Sequence, residues 1–318
     1  EQMVSKDYPA WVEASKVAMD VMKKYMDQDQ ATKIDYASQY ASVANYWKNR
    51  QGTIDAVIKN GTISGKKDLE AKFMKWAILP ANEVMYSGVL DNIKANYAQF
   101  SNRNVERNYS SQLQRNAKYI AGAYQLGSLL KTYADQDANG KAAMKTKVTD
   151  AIDRMYNGFN TKLEGEMLNS MVNLYQQRVS KDDASATLMA ADAKSLSNLA
   201  FPSIFANKES ALNFVSNPDR LKIDADPLLK LANGFYTDQK LAGDRYAKVD
   251  EAFAKNSRIF LDGLRKSQPD KVFYPDANST MRLTTGSIDT LPVRSDRNYG
   301  GINEKNNYYT EINGMVAK

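Results

Sequence analysis

The sequence predicts a mainly α fold, with a multi-helix domain over residues 1–266 followed by a short β segment over residues 267–318. Three observations carry this expectation. Apolar residues recur at alternating three- and four-residue spacing through most of the chain. Asp, Asn, Pro and Gly punctuate those stripes where helix ends belong. After Gln268-Pro269 the period changes, and Met281, Leu283 and Thr285 alternate with Arg282 and Thr284 as in a strand.

Taken in order, Pro9 follows Asp7 where a first-turn proline belongs, and Trp11, Ala14, Ala18, Val21 and Tyr25 form the stripe of a first helix. A second helix sets Tyr36, Tyr40, Val43 and Trp47 on one stripe, continues through Ile54 and Ile58, and stops at Asn60-Gly61. Further helices are expected over 67–78, 81–100, 104–134, 141–179 and 182–198. Their stripes include Leu113, Ala117, Ile120 and Tyr124, then Ile152, Met155, Phe159 and Leu163. Pro202, Pro218 and Pro227 punctuate shorter pieces before a last long helix over 227–265. No internal repeat supports a solenoid. The Met and Tyr content reads as core filling and helix contacts rather than a cofactor box. Residues 267–318 read as one or two strands with long loops, too little to close a β-domain alone. They are expected to belong to a β-domain whose remainder lies outside the chain.

Composition narrows the function. The 318 residues can bury a sizeable core, and the balance of apolar and charged residues is that of a soluble globular protein. No apolar run approaches the roughly 18 to 20 residues that cross a bilayer. No signal peptide is recognisable and the first residue is Glu1 rather than Met, so a processed or excised chain is expected. The 43 Lys and Arg are interleaved with 37 Asp and Glu, which reads as a mixed solvated surface rather than a nucleic-acid face. With no Cys there is no thiol nucleophile, disulfide or thiolate metal site. With no His the chain cannot hold a Ser-His-Asp triad or a His-based zinc site by itself.

Four stretches could carry chemistry. DQDANG places Asp135, Asp137, Asn139 and Gly140 at the first positions of a calcium loop, but Thr146 stands where the bidentate Glu is needed. A polar turn between helices is the better reading. Glu164 and Glu166, two residues apart on a helix, do not face one another as an acid/base pair. Ser279 in FYPDANSTMRLTTG lacks a base: there is no His, and residue 282 is Arg rather than the Lys of a Ser-x-x-Lys motif. Asp276 and Asn278 read as turn residues bonding their own backbone. YASVANYWKN (residues 40–49) is the most informative. With Val43 and Trp47 on the core stripe, Ser38, Ser42, Asn45 and Asn49 line up into a small uncharged hydrogen-bonding face. That face is either a solvated or interhelical polar contact, or a set of amide carbonyls accepting hydrogen bonds from a ligand amine.

Together YASVANYWKN, QPDKVFYPDANSTMRLT (268–284) and LPVRSDRNYGG (291–301) resemble the bacterial serine dipeptidyl-peptidases of the dipeptidyl-peptidase 7 and 11 group. The resemblance covers essentially the whole chain but only the middle of the family's length. It implies a helical domain that caps the active-site cleft of a chymotrypsin-like double β-barrel, with residues 267–318 as an incomplete part of that barrel. It also implies a His-Asp-Ser triad lying outside this chain, since the family's GNSGSP nucleophile motif is absent here. The substrates would be peptides with a free N-terminus, cut in the periplasm or after secretion by a homodimer without metal or organic cofactor. The family's helical domain supplies an Asn that holds the substrate α-amino group. The matching NYWKN motif makes Asn45 the first choice and Asn49 the second, and this chain would carry no catalytic residue. Thr285 departs from the Tyr usual at that position, which bears on local barrel packing. A non-enzymatic all-helical secreted binding or scaffold protein, with the strand-like tail as a partner contact, stays open as the alternative.

Overall fold

The structure is a computed structural model describing residues 1–197, 202–273, 286, 291–292 and 306–307. The chain divides into two units, Glu1–Pro269 and Asp270–Lys318. In the second unit the described residues include a short antiparallel ladder that pairs Leu291 with Asn307 and Pro292 with Asn306. They do not show a barrel. Ser279 and Met281–Thr285 lie outside the described residues, so the strand alternation expected there is not among them.

The described elements of the first unit are all helices. After a π-helical turn at Met3–Asp7 come α1 (Tyr8–Met26), α2 (Gln30–Lys59), α3 (Thr62–Ala77), α4 (Glu83–Tyr86), α5 (Val89–Asn116) and α6 (Lys118–Ala134). They are followed by α7 (Ala138–Tyr156), α8 (Thr161–Arg178), α9 (Ala186–Ala190), α10 (Ala193–Ser197), α11 (Lys208–Ser216), α12 (Arg220–Ala225) and α13 (Pro227–Lys266). Local chemistry starts several of them. Asp29 caps α2 by accepting from the Thr32 backbone N–H at 2.8 Å, and Asn160 caps α8 by accepting from that of Leu163 at 3.0 Å. Asp226, ahead of Pro227, accepts from the Leu229 N–H at 2.9 Å and also from Ser203 and Ile204. The Asn60-Gly61 stop falls where expected, with Gly61 in the left-handed region at φ 60°.

Two cores result. The larger gathers Ala14, Ala18 and Met22 of α1, Tyr36 and Val43 of α2, Leu113 of α5, Ile120 of α6 and Tyr175 of α8. The smaller is formed by Phe73 and Ala77 of α3, Tyr86 of α4 and Val89 of α5. Two long helices run through both. Leu228, Leu229, Leu231, Ala232 and Phe235 at the start of α13 lie in the larger core, whereas Gly263 near its end packs on the Phe73 and Tyr86 rings. Between the cores α5 and α13 are pinned together by Phe100 edge-on to Phe253, by an Arg103–Asp250 ion pair at 2.9 Å and by the Asn256–Asn96 amides at 2.9 Å.

Several expected boundaries move, each for a physical reason. Helices over 81–100 and 104–134 are replaced by α4, α5 and α6, and the break falls at Ala117 because the Lys118 N–H turns to the Glu164 carboxylate at 3.0 Å. The expected 141–179 helix is two, divided where Gly158 adopts φ 61° and Asn160 restarts the chain. The 182–198 helix is cut at Ala191, where the Gln176 side-chain amide donates to the Leu188 and Ala191 carbonyls. The helix expected from 67 begins at Thr62, directly after Gly61. Ile58 and Tyr124 leave the core stripes. Ile58 is 68% exposed and Tyr124 stacks at the surface on Tyr236, with ring centroids 4.0 Å apart.

Candidate functional site

The polar face expected on α2 is present. Val43 is buried in the larger core, and Ser38, Ser42, Asn45 and Asn49 are all exposed. The side-chain amides of Asn45 and Asn49 form no hydrogen bond with any described residue; the one contact at residue 49 is its backbone carbonyl, which accepts from the Thr53 hydroxyl at 2.8 Å. Trp47, expected in the core, is half-buried, and its indole nitrogen is covered without a hydrogen-bond partner among the described residues.

Two fastenings hold this stretch of α2. The first is a guanidinium–aromatic cluster across α1, α2 and α5. Arg50 lies 4.3 Å from the Tyr8 ring, and Arg115 lies 5.7 Å from the Trp11 ring and 5.3 Å from that of Tyr46. Such contacts contribute about 0.5–1 kcal/mol each at exposed sites. They bracket Asn45 and Asn49, which are their chain neighbours. The second fastening is deeper. Glu164, wholly buried, accepts from the Tyr36 hydroxyl at 2.7 Å and from the Lys118 N–H, and its partner in charge is the Lys118 ammonium at 3.5 Å. That ammonium also sits 3.8 Å over the Tyr36 ring. Burial pushes the Glu164 carboxyl above the usual carboxylate range, and Lys118 and Tyr36 pull it part of the way back. The Tyr36 hydroxyl accepts in turn from the Asn160 N–H at 3.2 Å, so α2, α6 and α8 meet at one polar knot inside the core.

The carboxylates considered from the sequence are brought to separate places. Glu166, half-exposed, bonds Lys24 at 2.6 Å and Tyr25 at 2.8 Å, away from the buried Glu164 knot. Asp137 caps α7 by accepting from the Gly140 N–H at 2.7 Å, and Asp135 pairs with Arg220. Among the described residues no group of three acidic, His or Cys side chains could hold a metal ion. Sequence reasoning missed the guanidinium cluster, because Arg50 and Arg115 are far apart in the chain and each reads singly as a solvated cation. The only available signal was the density of Tyr and Trp on α1 and α2 facing them.

The Peptidase S46 family model matches residues 1–318. The chain belongs to the peptidase S46 family. It is 33% identical to dipeptidyl-peptidase 7 of Capnocytophaga gingivalis across 100% of this chain and 44% of that protein. It is 26% identical to the Asp/Glu-specific dipeptidyl-peptidase of Flavobacterium psychrophilum, across 90% of this chain and 41% of that one. The fold matches the crystal structure of Porphyromonas endodontalis DPP11 in complex with the dipeptide Arg-Glu. That match has a TM-score of 0.77 at 20% identity, covering 94% of this chain and 44% of that structure. The chain thus spans less than half the length of the relatives it matches.

Proposed function

We propose that this S46 chain is the helical substrate-capping region of a serine dipeptidyl-peptidase that releases dipeptides from peptide N-termini, with Asn45 holding the substrate α-amino group. The observation that carries the assignment is the Asn45 amide: exposed, unpartnered among the described residues, and two residues from the buried Val43. A neutral amide oxygen accepts from an ammonium without titrating, and on a fastened helix turn it loses little freedom on binding. Asn49, one turn further on, is the second choice. The family membership supports a peptidase rather than the scaffold reading.

The chain has no His, so the triad is assigned to parts of the protein outside it, together with the barrel that residues 267–318 would join. A periplasmic or secreted location and a homodimer are part of the same proposal. No helix among the described residues is long and apolar enough to cross a membrane.

The test uses the complete protease on dipeptidyl chromogenic substrates. Asn45→Ala lowers kcat/KM by the equivalent of roughly 1–3 kcal/mol, the scale of a hydrogen bond to a charged group. Asn49→Ala stays near wild type. If Asn45→Ala leaves kcat/KM unchanged while Asn49→Ala lowers it, the contact is Asn49; if neither moves it, the amine is held elsewhere.

A further inference from the structure

Beside α2 the surface of α5, α6 and α7 opens into a groove of about 480 Å³. Three cations line it, Arg115, Lys118 and Arg154, with the side-chain amides of Gln114 and Gln125, and no carboxylate is among its lining residues. Its floor is apolar, with Leu129 and Met155 prominent. The floor is continuous because Gly122 of α6 has no side chain: a Cβ there would stand 2.5 Å from the Met155 methyl.

The state of those cations distinguishes the groove from the rest of the surface, where Lys and Arg are mixed with acids. Arg115 and Arg154 are exposed, and neither forms an ion pair within 4.0 Å among the described residues. Arg115 is held in place by the Trp11 and Tyr46 rings, which fix its direction while leaving its charge uncompensated. Lys118 is only partly neutralised, since its partner Glu164 is buried behind it. A rigid cleft lined by one sign of charge on a low-dielectric floor concentrates counter-charge from solution.

The geometry points to a binding site for an acidic peptide, with carboxylates on Arg115 and Arg154 and the backbone amides met by Gln114 and Gln125. Two forked guanidiniums suit planar carboxylates, which they bind bidentately. A nucleic acid fits worse: no aromatic ring lines the groove to stack a base, and three cations make no track along a phosphate backbone. The Arg115–Tyr46 contact places one end of the groove beside the turn that carries Asn45. Peptide binding in the groove does not depend on the Asn45 contact, since none of the groove's lining residues is Asn45.

The experiment is fluorescence anisotropy of a fluorescein-labelled hexaglutamate peptide with this chain, in rising salt. Wild type binds, and binding weakens with salt. Arg154→Gln weakens it several-fold and Arg154→Glu ten-fold or more, while the control Lys72→Glu, an equal charge change at an exposed α3 position outside the groove, stays within two-fold. Both substituted positions are at the surface, and an unchanged thermal midpoint confirms folding. Equal losses for Arg154→Glu and Lys72→Glu overturn the site, since only net charge would then matter. Displacement of the peptide by equimolar inorganic phosphate or by a single-stranded oligonucleotide overturns the peptide assignment. An Asn45→Ala chain that binds hexaglutamate normally leaves this inference intact whatever becomes of the amine contact.

Discussion

Replacing Tyr36 by Phe tests the polar knot that fixes α2. The ring stays, so no cavity opens and the Lys118 ammonium keeps its aromatic face. What goes is one hydroxyl that donates to Glu164 at 2.7 Å and accepts from the Asn160 N–H at 3.2 Å. Losing a hydrogen bond to a charged acceptor costs about 1.5–3 kcal/mol, and leaving the half-buried Asn160 N–H without its partner adds up to about 1 kcal/mol. The expected total is about 3 kcal/mol, large against a domain stability of about 5–15 kcal/mol. Urea unfolding followed by circular dichroism measures it, with an unchanged m-value showing that the denatured state is the same. A double-mutant cycle with Glu164→Gln isolates the pair, and a coupling of at least about 1 kcal/mol is expected. A loss below about 0.5 kcal/mol, or a coupling near zero, would show that the knot does not hold α2.

Other predictions follow from the same packing. Gly263→Ala drives a Cβ to 2.8 Å from the Tyr86 ring and 2.9 Å from that of Phe73, so about 1–3 kcal/mol should be lost, chiefly in the smaller core. Hydrogen exchange should speed up in α3 and α4 while α6 and α8 stay protected; uniform acceleration would argue against two cores. Gly158→Ala at φ 61° should cost about 1–2 kcal/mol in thermal or urea unfolding, and Gly158→Asn clearly less, since Asn tolerates the left-handed region. The pH dependence has a definite sign. Burial raises the Glu164 carboxyl in the folded state, so its contribution is fully present below its ordinary value of 4.5 and is lost as pH rises through the raised folded value. The thermal midpoint of wild type relative to Glu164→Gln should therefore fall as pH rises above 4.5, and a constant difference would exclude the linkage.

The features legible in the sequence were local ones. Pro9 and the Ala14, Ala18 and Val21 stripe specify α1, because a proline start and a helical period need only neighbouring residues. Asn60-Gly61 specifies the end of α2 for the same reason. The Asn45 face follows from Val43 facing inward, a matter of angles on one helix. The break at Ala117 was not legible, because neither Ala117 nor Lys118 is a breaker; the cause is a carboxylate 46 residues further along. The sequence separates Glu164 from Glu166 as an acid/base pair but does not mark it as buried, since nothing in a sequence says which glutamate will find Tyr36. The cationic groove was hidden similarly: Arg115 and Lys118 come from one side and Arg154 from another helix, so no run of basic residues marks it. The turn at Gly158 differs, because Asn157-Gly158 was a visible stop signal overridden by the apolar stripe running through it.

The two-core layout has a mechanical consequence for α2. This helix leaves the larger core at Val43 and leads, through Gly61, into α3, whose Phe73 and Ala77 are seated in the smaller one. It behaves as a beam supported at both ends, and such a beam deflects least beside its supports. At 1.5 Å per residue, Asn45 lies only about 3 Å beyond the support at Val43, whereas Lys59 lies about 24 Å beyond it. If the smaller core shifts by several ångströms, the Asn45 amide moves by roughly an eighth as much, the ratio of those two lengths. A side chain at this position can be open to solvent and still keep a steady aim, which neither a loop nor the free middle of the helix would give it.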